Sequence, residues 1–553
     1  MRLIECVPNF SEGRDLKVIE EIANAIKNAG GKLLDVDPGN ATNRTVVTFV
    51  ASPEVVVNAA FAGIKKASEL IDMSKHSGAH ARMGATDVCP LIPVSDVTVE
   101  ECVELSKELA KKVADELNIA TYLYEHAAQE EKRQNLAIIR AGEYEGFFEK
   151  IKKEEWKPDF GEAVHNKKSG STVIGVREFL IAYNVNLNTK STLIARKIAN
   201  RIREKGYPKR DENGKLLKVG GKKVFEPGLF KNVKAVGWYI EEYNKAQISI
   251  NLTNFNITPI YEVFDAVCKL ATEFGVRVTG SELVGLIPKK AIYDAGIHFI
   301  KKAKQPYGLS ENEIIDNAIQ SLGLAELDEF NPIEKIIEYK VAKKRDLINM
   351  TITDFANELA SNSPAPGGGS IAALSASLSA ALVSMVGNLT VGKPKYKKVN
   401  ESMKELSYQA QRLKEFFIDV IDDDTDAFNE IMDAFKLPKS NEEETTIRVN
   451  EIENATKKAT LIPFSVMEKT VEIYPLIKQA LTKGNQSALS DAGVAALNAK
   501  SAFYGAYYNV LINLKDISDE TFIKDLKERS LKLKEIVDNN DEELSQIVFK
   551  ALS

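Results

Sequence analysis

Tyr339-Lys-Val-Ala-Lys-Lys-Arg345 is a short charged stretch, and the hydrophobic periodicity of the chain differs on its two sides. Upstream, short apolar runs alternate with amphipathic stretches. Residues 3–7 read as a strand, 16–29 as a helix, 32–36 and 45–50 as strands, and 53–70 as a helix whose Pro53 suits the first turn. A strand at 87–93, a helix at 99–117 and a strand at 121–124 complete this unit. The order then repeats, with strand 179–186, helix 191–204, strands 233–240 and 247–251, helix 259–274, strand 276–278 and helix 289–302. Two β-α-β-β-α-β units in tandem predict two ferredoxin-like α/β subdomains formed by duplication, with a groove between them. Residues 204–225, which include Asp211-Glu-Asn-Gly214, read as an excursion from the second copy.

Downstream of the charged stretch no strand pattern remains. Thr353 is placed as an N-cap with Asp354 in the first turn, and helices are expected at 354–359, 371–390, 402–436, 441–474, 479–483, 492–514 and 519–552. The fold class is therefore α/β plus all-α: residues 1–176 and 177–338 as the two subdomains, 339–350 as a linker, and 351–553 as an α-helical bundle domain.

Composition narrows the function classes. An apolar share of 44% with 27% charged residues marks an ordinary globular protein, and 553 residues exceed what one core holds. A formal net charge of −6 provides no basic footprint for nucleic acid, and no apolar run approaches the ~18–20 residues of a bilayer span. The N-terminus enters a strand without a signal-peptide apolar core, and Cys6, Cys89, Cys102 and Cys268 lack metal-ligand or redox spacing. A cytoplasmic protein with reduced thiols is expected. All five histidines lie at or before His298, so acid–base work in the bundle falls to carboxylates, lysines, tyrosines or hydroxyls.

Two of those histidines stand four residues apart in Met73-Ser-Lys-His-Ser-Gly-Ala-His-Ala-Arg-Met-Gly-Ala-Thr-Asp-Val-Cys-Pro90. Gly78 and Gly84 break any helix there, so His76, His80 and Arg82 share an irregular loop. Imidazoles in that setting serve proton transfer or metal binding, and composition alone leaves both open. In the bundle, Leu413, Phe417, Val420, Phe428 and Ile431 form one helical stripe. At about 100° per residue, Asp424 falls in the middle of that stripe, while Asp422 and Asp426 point away and Asp423 sits at the side. A carboxyl forced into an apolar setting stays protonated and can act as a general acid; a helix-cap or salt-bridge role is the alternative.

Ser363-Pro-Ala-Pro-Gly-Gly-Gly-Ser370 precedes a helix, and Gly367, Gly368 and Gly369 let the backbone approach an anionic ligand. No P-loop lysine accompanies them, which argues against nucleotide. Gly484-Asn-Gln-Ser-Ala-Leu-Ser-Asp-Ala492 is a second polar turn, with Ser490 or Asp491 as its cap. Lys393, Lys395, Lys397 and Lys398 read as a solvated face or an attractor for a polyanionic tail.

Several long motifs in one order resemble the formimidoyltransferase-cyclodeaminases, bifunctional folate enzymes of histidine breakdown. They are Glu5-Cys-Val-Pro-Asn-Phe-Ser-Glu-Gly13, Asp35-Val-Asp-Pro-Gly39 with Thr42-Asn-Arg-Thr45, the His76/His80 loop, Arg140-Ala-Gly-Glu-Tyr-Glu145 and Pro158-Asp-Phe-Gly161. Gly280-Ser-Glu-Leu-Val-Gly-Leu-Ile-Pro288, Pro364–Ser370, Asp422–Phe428 and Asn509-Val-Leu-Ile-Asn-Leu514 continue the resemblance. It implies His80 as the transferase base, Asp37 as its acidic neighbour, and Asp424 as the cyclodeaminase acid. It also implies folate contacts at Asp159, Phe160 and Gly161, carboxylate binding by Arg44 and Arg82, and substrate contacts at Gly367–Gly369 and Asp491. Tetrahydrofolate is then the co-substrate of N-formimidoyl-L-glutamate, in polyglutamylated form where a basic face attracts it. No metal is needed, and a homo-oligomer without nucleic-acid or membrane partners is expected. Two rival readings are a metal-dependent hydrolase using His76 and His80, and a transferase with a non-catalytic bundle.

Overall fold

The computed structural model describes residues 2–40, 42–78, 81–241, 243–327, 329–342 and 345–552. In the first sheet the strand Leu3–Cys6, continued by Asn9–Phe10, lies between Arg44–Ala51 and Thr86–Ser95 and is antiparallel to both. Lys32–Gly39 pairs on the outer side of Arg44–Ala51. Beyond Thr86–Ser95, Thr172–Val176 and then Thr121–Glu125 add two parallel strands. Thr172–Val176 has no counterpart in the sequence pattern, because five fully buried residues carry no alternation to read. Ile4, Cys6, Val47 and Phe49 turn one sheet face toward helices Leu16–Asn28, Pro53–Leu70 and Val99–Leu117, which bury Ile22, Ile26, Ala60, Ile64 and Leu109 against it.

A second sheet runs in the order Val233–Ile240, Lys245–Leu252, Ile181–Leu187, Val278–Val284, with every neighbour antiparallel. Ile181, Tyr183, Val185, Ile248 and Ile250 are buried on the face that meets helices Thr192–Ile202 and Ile260–Glu273. Its last strand begins where the sequence pattern ends it, at Val278: Gly280 adopts a φ of +135° inside the strand and the ladder shifts register between Val278 and Ser281. The excursion after Ile202 folds into two short ribbons, Tyr207–Pro208 with Phe225–Glu226 and Lys218–Val219 with Lys222–Lys223.

By packing, the chain divides into Met1–Ile292 with Leu322–Ala342, and Tyr293–Ser321 with Lys343–Ser553. The stretch Tyr293–Ser321 therefore belongs with the helical unit although it precedes the charged stretch. The helical unit is built on Gly368–Thr390, Asn400–Phe435, Glu442–Lys483, Leu489–Asn513 and Glu520–Leu552. Ala372, Ala373, Ala376, Ala380 and Gly387 let neighbouring helices approach Gly368–Thr390 closely, and Ser379 Oγ donates to the Ala495 carbonyl at 2.7 Å. Among the described residues this is the one helix long and apolar enough to cross a membrane, and 61% of that apolar window is buried within the unit.

Three local expectations are corrected here. Thr351, not Thr353, caps the first helix, its hydroxyl accepting from the Asp354 N–H at 3.1 Å. Glu442–Lys483 continues unbroken through Pro475, where the sequence pattern separates two helices. The lost N–H bond, about 3 kcal/mol in an isolated helix, is offset by burial of Ile473, Tyr474, Leu476, Ile477 and Ala480. The polar turn after Gly484 is capped by Asn485, which accepts from the Ser487 N–H at 3.2 Å, rather than by Ser490 or Asp491.

One buried charge lies inside the first sheet. Burial pushes the Glu5 carboxyl up to about 7 from 4.5, with Arg177 opposing. A carboxyl raised in the folded state contributes full stability below about pH 4.5 and loses it as pH rises through about 7. Glu5→Gln is expected to match the wild type at pH 4 and to exceed it at pH 8 by about 3 kcal/mol, in urea unfolding followed at both pH values.

Candidate functional site

In the α/β unit, strand register brings the sequence-derived residues together. Asp37 pairs with Val46, and Val46 pairs with Asn9, so all three share the sheet face opposite helices Leu16–Asn28, Pro53–Leu70 and Val99–Leu117, where Val88 beside Asn9 packs with Ile139 and Phe147. Arg44, two residues before Val46, is on that face too, a diagonal neighbour of Asp37 at about 7–8 Å between backbones. The Arg44 guanidinium donates to Asn9 Oδ1, and burial lowers its pKa while Asp87 opposes. Asp37 is exposed.

The histidine loop is tied to the same hairpin. Asn43, with φ +51°, accepts from the Gly13 N–H at 3.0 Å and donates to the Ser77 carbonyl at 3.0 Å. His76 Nε2 lies 2.9 Å from the Asn43 carbonyl, and Arg82 Nε donates to His76 Nδ1 at 3.2 Å. The ring therefore donates from Nε2, and both nitrogens are used within the protein. A Cβ on Gly78 would collide with the Thr42 carbonyl, so the loop lies flush on the turn. His80 falls outside the described residues.

Arg82 is placed differently from its expected role. Its fork is filled by Glu143 at 2.9 Å and by Glu145 at 2.7 and 3.0 Å, which leaves the guanidinium bracing the loop rather than facing a ligand. Asp159 is likewise committed: Oδ2 accepts from the Leu123 N–H at 2.8 Å and pairs with Arg133 at 2.8 Å, both side chains almost fully buried. Phe160 packs on the core beside Thr121, and Gly161, exposed with φ +90°, follows it. Among the described residues no three His, Cys, Asp or Glu side chains group as metal ligands do.

In the helical unit, Asp424 lies against the start of Gly368–Thr390. Ser370 Oγ is 3.2 Å from Asp424 Oδ2 and 3.0 Å from the Ile421 carbonyl. A Cβ on Gly369 would collide with the Asp424 carboxylate, and one on Gly368 would sit 3.1 Å from Asn509 Nδ2. Gly367 is the N-cap. Burial pushes the Asp424 carboxyl above its ordinary value, while the Ser370 hydroxyl and N–H hold it down. Gly368, Gly369, Ser370, Asp424 and Asn509 thus lie together. Sequence reasoning left out Ser370 and gave Asn509 no role; both stand in quoted motifs, but only the fold sets them beside Asp424.

Asp422 and Asp491 depart from expectation. Asp422 accepts from the Leu347 and Ile348 N–H groups at 3.0 and 3.3 Å, so it anchors the incoming chain instead of standing free on the opposite face. Asp491 is in the first turn of Leu489–Asn513, whereas Asn509 of that helix marks the Asp424 end. Eighteen residues of helix separate them by roughly 27 Å, so this chain does not bring Asp491 to the glycine turn.

Comparison with known proteins accords with this arrangement. The formiminotransferase domain N-terminal subdomain matches residues 3–177, the formiminotransferase domain 182–342, and the formiminotransferase-cyclodeaminase family 351–532. The chain is 43% identical over 526 residues to a formimidoyltransferase-cyclodeaminase of Mus musculus, covering 94% of each chain. It is 42% identical to that of Dictyostelium discoideum, covering 99% of this chain and 98% of the relative. A glutamate formimidoyltransferase of Thermoplasma acidophilum is 43% identical, covering 58% of this chain and 98% of the relative.

The two aspartates should separate in stability measurements. Asp422→Ala strands two backbone N–H groups and is expected to destabilise the helical unit by about 1–2 kcal/mol. Asp424→Asn removes a carboxylate whose ionisation opposes folding, so its advantage over wild type should grow as pH rises from 4 to 8. Thermal unfolding across that range checks both.

Proposed function

The chain belongs to the formimidoyltransferase-cyclodeaminase family, and from that membership we propose how its two units divide the transfer of a one-carbon group to folate. The enzyme is bifunctional. It moves the formimino group of N-formimidoyl-L-glutamate to N5 of tetrahydrofolate, then cyclises 5-formimidoyltetrahydrofolate to 5,10-methenyltetrahydrofolate with release of ammonia. The single observation that carries the division is the Asp424 carboxyl, pushed by burial above its ordinary value and set against a glycine-rich helix start.

In the α/β unit, N5 attacks the formimino carbon. His80 takes the N5 proton and returns it to the departing glutamate nitrogen, with Asp37 stabilising the imidazolium. The placement of Ser77 and Gly78 on the turn beside Asp37 and Arg44 supports this reading. Arg44 is the candidate for a substrate carboxylate, and Arg82 positions the loop. Phe160 and Gly161 line the folate side, with Asp159 shaping their turn. We read each half as a ferredoxin-like subdomain, supported by the order 2-3-1-4 of the second sheet and the same order within the first.

In the helical unit, N10 attacks the formimino carbon and the amino group leaves as ammonia, taking its proton from Asp424. Gly367, Gly368 and Gly369 admit the folate backbone close to that carboxyl, and Asp491 serves only if a second chain supplies it. Functional boundaries at 1–176, 177–338 and 351–553 follow the matched segments. A homo-oligomer is supported by exposed Leu378, Met385, Leu389, Leu497, Tyr508 and Ile512 on two packed helices. Four free thiols favour the cytoplasm.

His80→Ala is expected to lower formimino transfer ~10²–10⁴-fold while cyclisation of supplied 5-formimidoyltetrahydrofolate persists. Asp424→Asn should do the reverse and accumulate the 5-formimidoyl product. Glutamate release reports the transfer, and ammonia release with methenyl absorbance reports the cyclisation. Near-normal transfer by folded His80→Ala, or normal cyclisation by Asp424→Asn, overturns the corresponding assignment.

A further inference from the structure

The helix Ile352–Leu359 is amphipathic yet buries none of its residues. At about 100° per residue, Ile352, Phe355, Ala356 and Leu359 share one side, and Thr353, Asp354 and Asn357 the other. Phe355 packs in part against the core of the helical unit, so the apolar side is turned inward. Even so, Ile352 is 92% exposed and Leu359 38%. The stripe faces the bundle without being covered by it, and none of the roles above uses these side chains.

The chain is pinned before and after this helix, at neighbouring positions of one long helix. Before it, the Leu347 and Ile348 N–H groups donate to Asp422, and Arg345 pairs with Asp419 at 2.8 Å. After it, Ser370 Oγ meets the Ile421 carbonyl at 3.0 Å and Asp424 Oδ2 at 3.2 Å, and Gly369 lies on the Asp424 carboxyl. Asp422 and Asp424 are about 200° apart around Asn400–Phe435, so the intervening chain crosses that helix from one side to the other. A helix with its side chains is about 10–12 Å across, and residues 349–368 can reach several times that distance. They form an arch that ends on the acid rather than a taut link. Ser361, Asn362, Ser363 and Pro364, which join the helix to the glycine turn, are exposed.

We propose that this arch is a flap over the Asp424 site, in which Ile352 and Leu359 close on the ring system of the reduced folate during cyclisation. The inference deepens the cyclodeaminase reading given above and rests on it. The stripe faces inward, its ends stay exposed, and its arch terminates at the acid. A pterin and its p-aminobenzoyl ring offer flat apolar surface that two branched aliphatic side chains can cover. Closure excludes water from the Asp424 carboxyl and gives Ile352 and Leu359 the apolar cover they lack within the chain. Ile352 and Leu359 are then contact residues that set affinity for the folate body. Thr351 and Asp422 are positioning residues that hold the arch.

Gln keeps the helix propensity of Leu while removing apolar surface, and both positions are exposed, so full-length Ile352→Gln/Leu359→Gln enzyme should keep the wild-type Tm. Its KM for 5-formimidoyltetrahydrofolate in cyclisation is expected to rise about 10-fold, while formimino transfer stays within about twofold. Ile352→Leu/Leu359→Met, which restores apolar surface, should keep the wild-type KM. Hydrogen exchange reads the closure directly. Saturating 5-formyltetrahydrofolate should slow the wild-type amides of residues 353–359 about tenfold, and the Gln pair should lose that protection. An unchanged KM in the Gln pair, or exchange at 353–359 indifferent to 5-formyltetrahydrofolate, overturns the proposal. Protection present without folate and rising with protein concentration assigns the stripe to a second copy and overturns it as well. A wild-type enzyme that transfers the formimino group but never cyclises the product would instead overturn the cyclodeaminase reading itself.

Discussion

Asn43 joins three segments that sequence separates widely, and the α/β site depends on that junction. Its side chain satisfies the Gly13 N–H and the Ser77 carbonyl at 3.0 Å each, while its own carbonyl receives His76. Three chains can meet so closely only without side chains at the contact. A Cβ on Gly13 would collide with the Gly39 carbonyl, and one on Gly78 with that of Thr42. The hairpin carrying Asp37 and Arg44 and the loop leading to His80 are therefore held by backbone packing. Arg82 braces the loop from behind through Glu143, Glu145 and His76. A proton-transfer site needs that order, because misplacement by about 1 Å can cost ~10²-fold.

The helical unit meets a different requirement by a related device. There the carboxyl proposed as the acid is buried, which favours its protonated form; yet a helix N-terminus favours the ionised form. Gly369 allows Asp424 to lie directly on the backbone, excluding water on one side, and Ser370 supplies hydrogen bonds that limit the cost of burial. Desolvation outweighs those bonds, so the Asp424 carboxyl lies above its ordinary value. Asp422, two residues earlier, has two backbone N–H partners instead.

What could be read from sequence follows from which interactions are local. Alternation and helical period revealed both repeats and the bundle, and the helical wheel isolated Asp424 before any contact was known, because phase on a long helix is fixed by geometry. Thr172–Val176 was invisible since a strand buried on both faces has no alternation. Caps were misplaced by two residues or more at Thr353 and Asp491, where several hydroxyls and carboxylates compete within one turn. Arg82 and Asp159 were read as ligand contacts because a planar fork or carboxylate in a motif looks alike whether its partner is substrate or protein. Their partners, Glu143, Glu145 and Arg133, are 26 to 63 residues away and only the fold assigns them.

The two sheets share a strand order, and the faces that carry their polar residues differ in chemistry. The first strand of each half supplies amides, Asn9 in one and Asn184 with Asn186 in the other. The second strand supplies Asp37 in one and Trp238 in the other. A carboxylate and a guanidinium on the first face suit charge that develops during transfer. An indole, amides and a carboxylate stand on the second, so the two halves present different polar sets from the same strand order.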